Sequence, residues 1–145
     1  AMRATAAVFY SISNFQAGLA CISFGNFLIK RVAQELRQET ETLDQFVTLS
    51  PMPGFINWLG KTHPHLAADA TKDAPVGDDS FEQQLMTAAL QYLTTSERTD
   101  GLPNDPVARF HIGNGAILEQ LNYAADISAK GMAQSAGLMV NYLYL

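Results

Sequence analysis

Two segments of the sequence place a residue capable of acid, base or hydrogen-bond chemistry where regular structure should end. Ser50 is the last residue of the strand-like run 46–50 and precedes Pro51. Proline must end the strand because it has no N–H to donate to the hydrogen-bond ladder of a sheet. His111 stands near the end of a short helical segment broken by Gly113, and only histidine titrates near neutral pH. Both also have ordinary interpretations, because serine before proline is a common turn residue and an isolated histidine is more often structural.

A third segment joins a strand to a helix through glycines. Residues 6–13 are apolar and aromatic and predict a buried strand, and the spacing of apolar residues over 24–36 predicts an amphipathic helix. A helix N-terminus preceded by glycine can accept a diphosphate. The turn 18–26 matches neither Gly-x-Gly-x-x-Gly nor a loop ending in Gly-Lys-Ser/Thr, so the local pattern favours a simple strand-to-helix turn.

The remaining candidates for chemistry favour structural interpretations. His63 and His65 form a His-x-His pair that could bind a metal, but no acidic or cysteine partner is near them, and surface histidines are the better interpretation. Cys21 has no local histidine partner and is interpreted as a small apolar residue. A single cysteine excludes an internal disulfide and a cysteine-based zinc site, so we predict no metal.

The other elements follow from capping and periodicity. Ser80 is predicted to cap an amphipathic helix, and Asp105 caps a second one with Pro106 at its first position. Residues 138–144 predict a strand, and 116–123 fit either a helix or a strand. The polar stretch 62–79 is interpreted as an exposed linker or lid.

Composition limits the class of protein. The chain has 145 residues, 48% of them hydrophobic, with 9 Lys+Arg against 14 Asp+Glu and a net charge of −5. These values predict one soluble globular domain over 1–145 and argue against a nucleic-acid binder, which needs a concentrated basic face. We predict no membrane span, no signal peptide and a cytoplasmic location.

Six blocks of the sequence carry a resemblance to a known family, and they occur in the family's order. They cover residues 8–13, 18–19, 24–30, 48–55, 106–116 and 137–144. Together they resemble malonyl-CoA decarboxylase. The resemblance implies the C-terminal portion of a catalytic domain with the fold of the GNAT acetyltransferases, an α/β architecture with a mixed sheet. It also implies that the first strands of that fold are absent, which would expose a sheet edge, so we expect a homo-oligomer.

The resemblance also assigns functions to individual residues. Ser50 and His111, 61 residues apart, match the family's active-site serine and histidine, and Tyr144 matches a tyrosine that lines the site. The turn resembles the family's pyrophosphate-binding loop. An acidic residue that some members carry in this loop is replaced here by Ser23. The implied coenzyme A contacts are Gly18, Cys21, Ile22, Ser23, Phe24, Gly25 and Asn26.

The implied reaction converts malonyl-CoA to acetyl-CoA and CO₂ through a thioester enolate. His111, either protonated or as a hydrogen-bond donor, would stabilise the enolate oxygen and deliver a proton to carbon. Ser50 would orient the carboxylate or thioester, and Tyr144 would add a donor or close the pocket. No cofactor is required because the thioester accepts the electrons. Two alternatives are a GNAT-type acyl-CoA acetyltransferase and a truncated, non-catalytic acyl-CoA-binding module.

Overall fold

The computed structural model describes residues 3–10, 24–71 and 79–145. Four strands form one mixed sheet in the order β1-β2-β4-β3. The strands are β1 (Ala6–Tyr10), β2 (Gln45–Leu49), β3 (Ile117–Asn122) and β4 (Met139–Tyr144). The helices are α1 (Phe24–Glu39), α2 (Phe55–Thr62), α3 (Pro64–Thr71), α4 (Asp79–Thr94), α5 (Pro106–Gly113) and α6 (Ala129–Ser135).

The centre of the sheet is formed by β2 and β4. β1 pairs with β2 in parallel, and α1 lies between them in the chain because parallel neighbours need a crossover connection. β4 is antiparallel to both of its neighbours, β2 and β3. Burial alternates along the central strands, with Phe46 and Thr48 buried on β2 and Val140, Tyr142 and Tyr144 buried on β4. One face of the sheet therefore faces the core.

The described core lies where that face meets the helices. It contains Phe46 and Tyr142 from the sheet together with Phe55 and Leu59 of α2 and Leu85 of α4, all at most 1% exposed. β1, in contrast, is an edge strand of the described sheet, with Val8 52% and Tyr10 70% exposed. Burial of the central strands fixes the positions of the side chains at their ends, where the candidate site lies.

Several predicted elements are confirmed. Asp105 caps α5, with its side chain accepting hydrogen bonds from the backbone of Val107 and Ala108 and with Pro106 at the first position. The strand predicted over 138–144 is β4, and the ambiguous run 116–123 contains strand β3. The strand predicted over 6–13 is β1 up to Tyr10, and residues 11–13 lie outside the described part of the chain. Its predicted burial is wrong, because β1 is an edge strand of the described sheet that leaves Val8 and Tyr10 exposed.

Three local features of the structure differ from what the sequence predicts. The stretch 62–79, predicted as an exposed linker or lid, contains helix α3 over Pro64–Thr71, which buries Ala70 to 3% exposure, and residues 72–78 lie outside the described part. Ser80 lies inside α4 rather than capping it, because the helix already includes Asp79. Helix α6 was not predicted, although its Ser128 cap, which accepts from Gly131 N, is a local signal that could have indicated it.

Among the described residues, no helix has the length and apolar character needed to cross a membrane.

Candidate active site

Ser50 is held by the sheet at the point where β2 ends. Its N–H donates to the carbonyl of Val140 at 2.9 Å, and its carbonyl accepts from the Val140 N–H at 2.7 Å. This isolated bridge keeps the register of the Phe46–Tyr144 and Val47–Leu143 pairs three positions further along, after which Pro51 ends the strand. Both backbone hydrogen bonds of Ser50 are therefore made to the sheet, which fixes the position from which its side chain extends. Ser50 is 6% exposed.

The Ser50 hydroxyl lies between a threonine and a histidine. Its Oγ donates to Thr48 Oγ1 at 2.9 Å and lies 3.3 Å from Nε2 of His111. Thr48 Oγ1 also accepts from the backbone N–H of Tyr142 at 3.3 Å. Thr48 is 1% exposed, so packing in the core fixes the hydroxyl that accepts from Ser50. Reasoning from the sequence did not single out Thr48, because the alternation of side chains along β2 predicts only that Thr48 faces the core.

His111 reaches Ser50 from α5. It lies six residues after the Asp105 cap, on a helix whose buried residues are Ala108 and His111. The helix ends at Gly113, and the N–H of Asn114 turns back to the carbonyls of the last turn. The imidazole is 5% exposed, although histidine is a polar side chain. Both of its nitrogens have hydroxyl partners, which satisfies the requirement that buried polar groups be hydrogen-bonded.

Two tyrosines of β4 hold the imidazole in place. Nδ1 of His111 lies 2.7 Å from the hydroxyl of Tyr144, and the Tyr144 ring meets the imidazole edge-on at a centroid distance of 5.8 Å. Tyr142 stacks on the imidazole with ring centroids 4.7 Å apart and an interplanar angle of 24°. The hydroxyl of Tyr142 is buried and has no hydrogen-bond partner among the described residues. Sequence reasoning did not identify Tyr142 as a neighbour of the site.

Burial decides the protonation states of these groups. It lowers the pKa of His111 to about 4, because the surrounding rings desolvate the imidazolium. Burial also raises the pKa of Tyr144 to about 12. At pH 7 the pair is therefore a neutral imidazole hydrogen-bonded to a neutral phenol, which makes His111 a hydrogen-bond donor or acceptor rather than a permanent cation.

A cavity of about 480 Å³ opens next to Ser50 and His111. Its apolar lining includes Phe9, Leu49 and Met139, and its polar lining includes Asp126, Lys130 and Gln134. An apolar cleft with a few convergent polar groups is the usual form of a small-molecule site. These polar residues lie on α6 and in the loop before it, and they were not among the sequence-predicted site residues, since α6 itself was not predicted.

The predicted coenzyme A loop falls mostly outside the described residues. Gly18, Cys21, Ile22 and Ser23 belong to the undescribed segment 11–23. Phe24, Gly25 and Asn26 form the first turn of α1. The structure therefore brings Ser50, His111 and Tyr144 together and leaves the coenzyme A contacts as a prediction from the sequence. Within the described ranges there is no group of three or more His, Cys, Asp or Glu side chains suited to a metal ion.

A family model described as the malonyl-CoA decarboxylase C-terminal domain matches residues 1–145. The chain belongs to the malonyl-CoA decarboxylase family. It is 38% identical to the mitochondrial malonyl-CoA decarboxylase of Mus musculus over 175 residues, covering 98% of this chain and 36% of that protein. The corresponding protein of Rattus norvegicus is 37% identical with the same coverage. The chain therefore spans about a third of the length of the curated relatives that it matches.

Solved structures of malonyl-CoA decarboxylases share the fold. The structure from Agrobacterium vitis is 48% identical with a TM-score of 0.85, covering 97% of this chain and 39% of that one. The structure from Rhodopseudomonas palustris is 45% identical with a TM-score of 0.83, covering 98% and 36%. The loading GNATL domain of CurA from Lyngbya majuscula, at 17% identity and a TM-score of 0.59 over 97% of this chain and 54% of that one, shows the fold alone. The predicted GNAT-like mixed α/β fold is confirmed.

Proposed function

We propose that this domain carries the decarboxylase centre that converts malonyl-CoA to acetyl-CoA and CO₂. The observation that supports it is the meeting of Ser50, His111 and Tyr144 on one hydrogen-bonded line beside a cavity, in a chain that belongs to this family. We also propose that the reaction uses no metal or organic cofactor. A homo-oligomeric state and a cytoplasmic location stay predictions.

The chemistry sets the tasks of the site. The bond between the carboxylate carbon and the methylene carbon breaks, its electron pair enters the thioester as an enolate, and CO₂ leaves. A proton taken from solvent then forms the new C–H bond. The barrier falls if hydrogen-bond donors already point at the oxygen on which negative charge develops. The fixed imidazole beside the cavity supplies one such donor. The Ser50 hydroxyl supplies a second when its proton turns from Thr48 to the substrate oxygen.

His111 is the group proposed to move the proton. The low pKa of the free site keeps the imidazole neutral when malonyl-CoA arrives, so Nε2 can donate a hydrogen bond to the thioester oxygen. Negative charge on the enolate then stabilises the imidazolium and raises the pKa of His111, because an adjacent anion favours the charged form. The imidazole can therefore take a proton from solvent after CO₂ leaves and pass it to carbon.

Tyr144 fixes the direction of the imidazole in this proposal. Its short contact with Nδ1 leaves Nε2 to face Ser50. The Ser50–Thr48 contact has the corresponding effect on the serine, whose Oγ is held between Thr48 and His111. Reacting groups held in one geometry remove much of the entropic part of the barrier.

The deciding experiment measures acetyl-CoA formation from malonyl-CoA by this chain and by a full-length protein that contains it. Replacement Ser50→Ala should lower kcat about 100-fold, the usual loss when one donor to a developing oxyanion is removed. Ser96→Ala is the matched control, because Ser96 is an exposed serine whose Oγ donates to the carbonyl of Leu102 on the same loop. Equal activities for these two variants would contradict the proposal.

Two alternatives have distinct experimental outcomes, and they matter because the chain spans 36% of a curated relative's length. A chain that folds and binds acetyl-CoA by calorimetry, while neither it nor the full-length protein releases CO₂, would be an acyl-CoA-binding module. Consumption of an added amine acceptor would indicate an acetyltransferase instead.

A further inference from the structure

A second buried hydrogen-bond cluster lies between the two segments that carry Ser50 and His111. It consists of Tyr92 on α4 and Asp105 at the start of α5. The hydroxyl of Tyr92 donates to Oδ1 of Asp105 at 2.7 Å. Asp105 is 0% and Tyr92 5% exposed, so the contact is made in the core and not at the surface.

Asp105 uses its other oxygen to begin the histidine helix. Oδ2 accepts from the backbone N–H groups of Val107 at 3.1 Å and Ala108 at 2.9 Å. A buried carboxylate is tolerated where such donors and the positive end of a helix surround it. Because α5 has only eight residues, the position of its first turn determines where His111 lies in the last.

Tyr92 also touches the segment that follows Ser50. A Cβ atom built on Gly54 would lie 2.5 Å from the Tyr92 hydroxyl, so only glycine fits between the turn 51–54 and the phenol. The backbone of Gly54 has a φ of −93°, which any residue adopts, so space and not conformation requires glycine here. The Tyr92 ring further packs against Phe55 at 5.6 Å and Trp58 at 5.4 Å on α2.

The Tyr92 hydroxyl lies between the helix that carries His111 and the turn that follows Ser50, and so fixes the distance between them. On one side the phenol binds the cap of the helix that carries His111, and on the other it supports the turn four residues after Ser50. We propose that Tyr92 and Asp105 are positioning residues that set the separation between Ser50 Oγ and His111 Nε2. The proposal rests on the proposed function for its catalytic consequence, whereas the geometric consequence can be tested without it.

Tyr92→Phe is the first test, since it removes only the hydroxyl. We expect kcat to fall about tenfold, the loss that follows when a buried charged group loses one hydrogen bond, while KM for malonyl-CoA changes less than about threefold. Tyr123→Phe is the matched control, because Tyr123 is half-buried and its hydroxyl makes no hydrogen bond within the described residues. A kcat for Tyr92→Phe equal to that of the control would overturn the proposal.

Gly54→Ala supplies a sharper test through its interaction with Tyr92. Alone it should lower kcat, because the new methyl group must push the Ser50 turn away from the phenol. In the Tyr92→Phe background the methyl group enters the space that the hydroxyl leaves, so the double variant should be no slower than Tyr92→Phe alone. Losses that multiply in the double variant would show that the two positions act independently and would overturn the proposal.

A further variant covers the case in which Tyr92→Phe does not fold. Asp105→Asn keeps an oxygen for the backbone donors and an amide that the Tyr92 oxygen can accept from, so it should retain most of kcat. Asp105→Ala, which loses both contacts, should not. Equal kcat values for these two variants would overturn the proposal.

A separate readout distinguishes failure of this proposal from failure of the proposed function. If the unmodified protein releases no CO₂, nuclear Overhauser contacts between the His111 imidazole and the Tyr142 ring, whose centroids lie 4.7 Å apart, report the position of His111 directly. Their weakening in Tyr92→Phe but not in Tyr123→Phe would support the positioning proposal. Unchanged contacts would overturn it.

Discussion

Two cavities in this molecule are each lined by histidine and hydroxyl groups, and they differ in how those groups come together. The larger, of about 650 Å³, lies beside α2, α3 and α4 and includes His63 and His65. The smaller, of about 480 Å³, opens on Ser50 and His111. If volume alone marked a site, the larger cavity would be chosen.

The contacts of His63 and His111 favour the smaller cavity instead. His63 contacts its neighbour Thr62, whose Oγ1 lies 2.9 Å from Nδ1, and its ring lies 5.5 Å from Trp58 in the preceding helix. His111 contacts Ser50 and Tyr144, which are 61 and 33 residues away in the sequence. Thr62 is exposed and the partners of His111 are buried.

This difference shows what makes a histidine chemically unusual. His63 makes local contacts, and its side chain stays partly exposed to water. Buried contacts from distant elements desolvate the ring and fix both nitrogens, so the pKa of His111 falls to about 4. The candidate site is therefore the smaller cavity, where groups distant in sequence converge.

The largest expected effect separates the two histidines by activity. Replacement His111→Gln should lower kcat for malonyl-CoA decarboxylation by roughly 10²–10⁴, the usual contribution of a positioned acid–base group. His63→Gln should leave it unchanged within about twofold, because His63 lies in the other cavity. Acetyl-CoA formation by each purified variant decides between them, and a comparable loss in both would remove the basis of the comparison.

A second prediction concerns stability and pH. The folded-state pKa of His111, about 4, lies below its ordinary value of 6.5, so the unfolded chain binds the proton more tightly. Above pH 6.5 the contribution of His111 to the free energy of unfolding should be constant. This contribution should fall by about 3 kcal/mol as the pH drops from 6.5 to 4.

Urea denaturation at a series of pH values measures this dependence. His111→Gln should lack this part of it, whereas His63→Gln should keep it. The carboxylates that titrate in the same range contribute equally to all three proteins and cancel in the differences. A pH dependence that is the same in all three would contradict the burial of His111.

A smaller effect is expected at Tyr144. Tyr144→Phe keeps the ring but leaves Nδ1 of the buried imidazole without its 2.7 Å partner. We expect kcat to fall about tenfold, since an unpaired buried polar atom costs about 1–3 kcal/mol and lets the ring turn. Single-turnover kinetics beside Tyr123→Phe measures the loss. Full activity in Tyr144→Phe would show that Ser50 and the stacked Tyr142 ring are enough to orient His111.

The smallest effect is a gain in stability. Tyr142→Phe removes a buried hydroxyl without a hydrogen-bond partner in the described part of the chain and keeps the ring that stacks on His111. The free energy of unfolding should rise by about 1 kcal/mol, because the cost of burying an unpaired hydroxyl disappears. Chemical denaturation at pH 7 gives the value. A loss of stability would mean that a bound water or ligand pairs with this hydroxyl.

Local features of the fold were predictable because their causes are local. The start of α5 is specified by a signal only four residues long, in which Asp105 caps the helix and Pro106 occupies its first position. At Pro64–Thr71 the polar composition predicts a linker or lid but not the helix that these residues form. That helix buries Ala70, which a composition argument cannot foresee. Helix α6 was missed because its Ser128 cap is followed by alanine and glycine and gives no apolar stripe.

The sequence by itself determined which residue types stand at the ends of the elements: Ser50 after β2, His111 late in α5 and Tyr144 at the end of β4. Resemblance to a family grouped these three residues before any distance was known. Only the tertiary structure decided that Thr48 and Tyr142 contact these residues and that Tyr92 binds the cap of the helix that carries His111. It also decided that burial lowers the pKa of His111 and that the larger cavity is a different place. Periodicity and capping act over a few residues, whereas burial and hydrogen-bond geometry depend on elements that meet only when the sheet and helices pack.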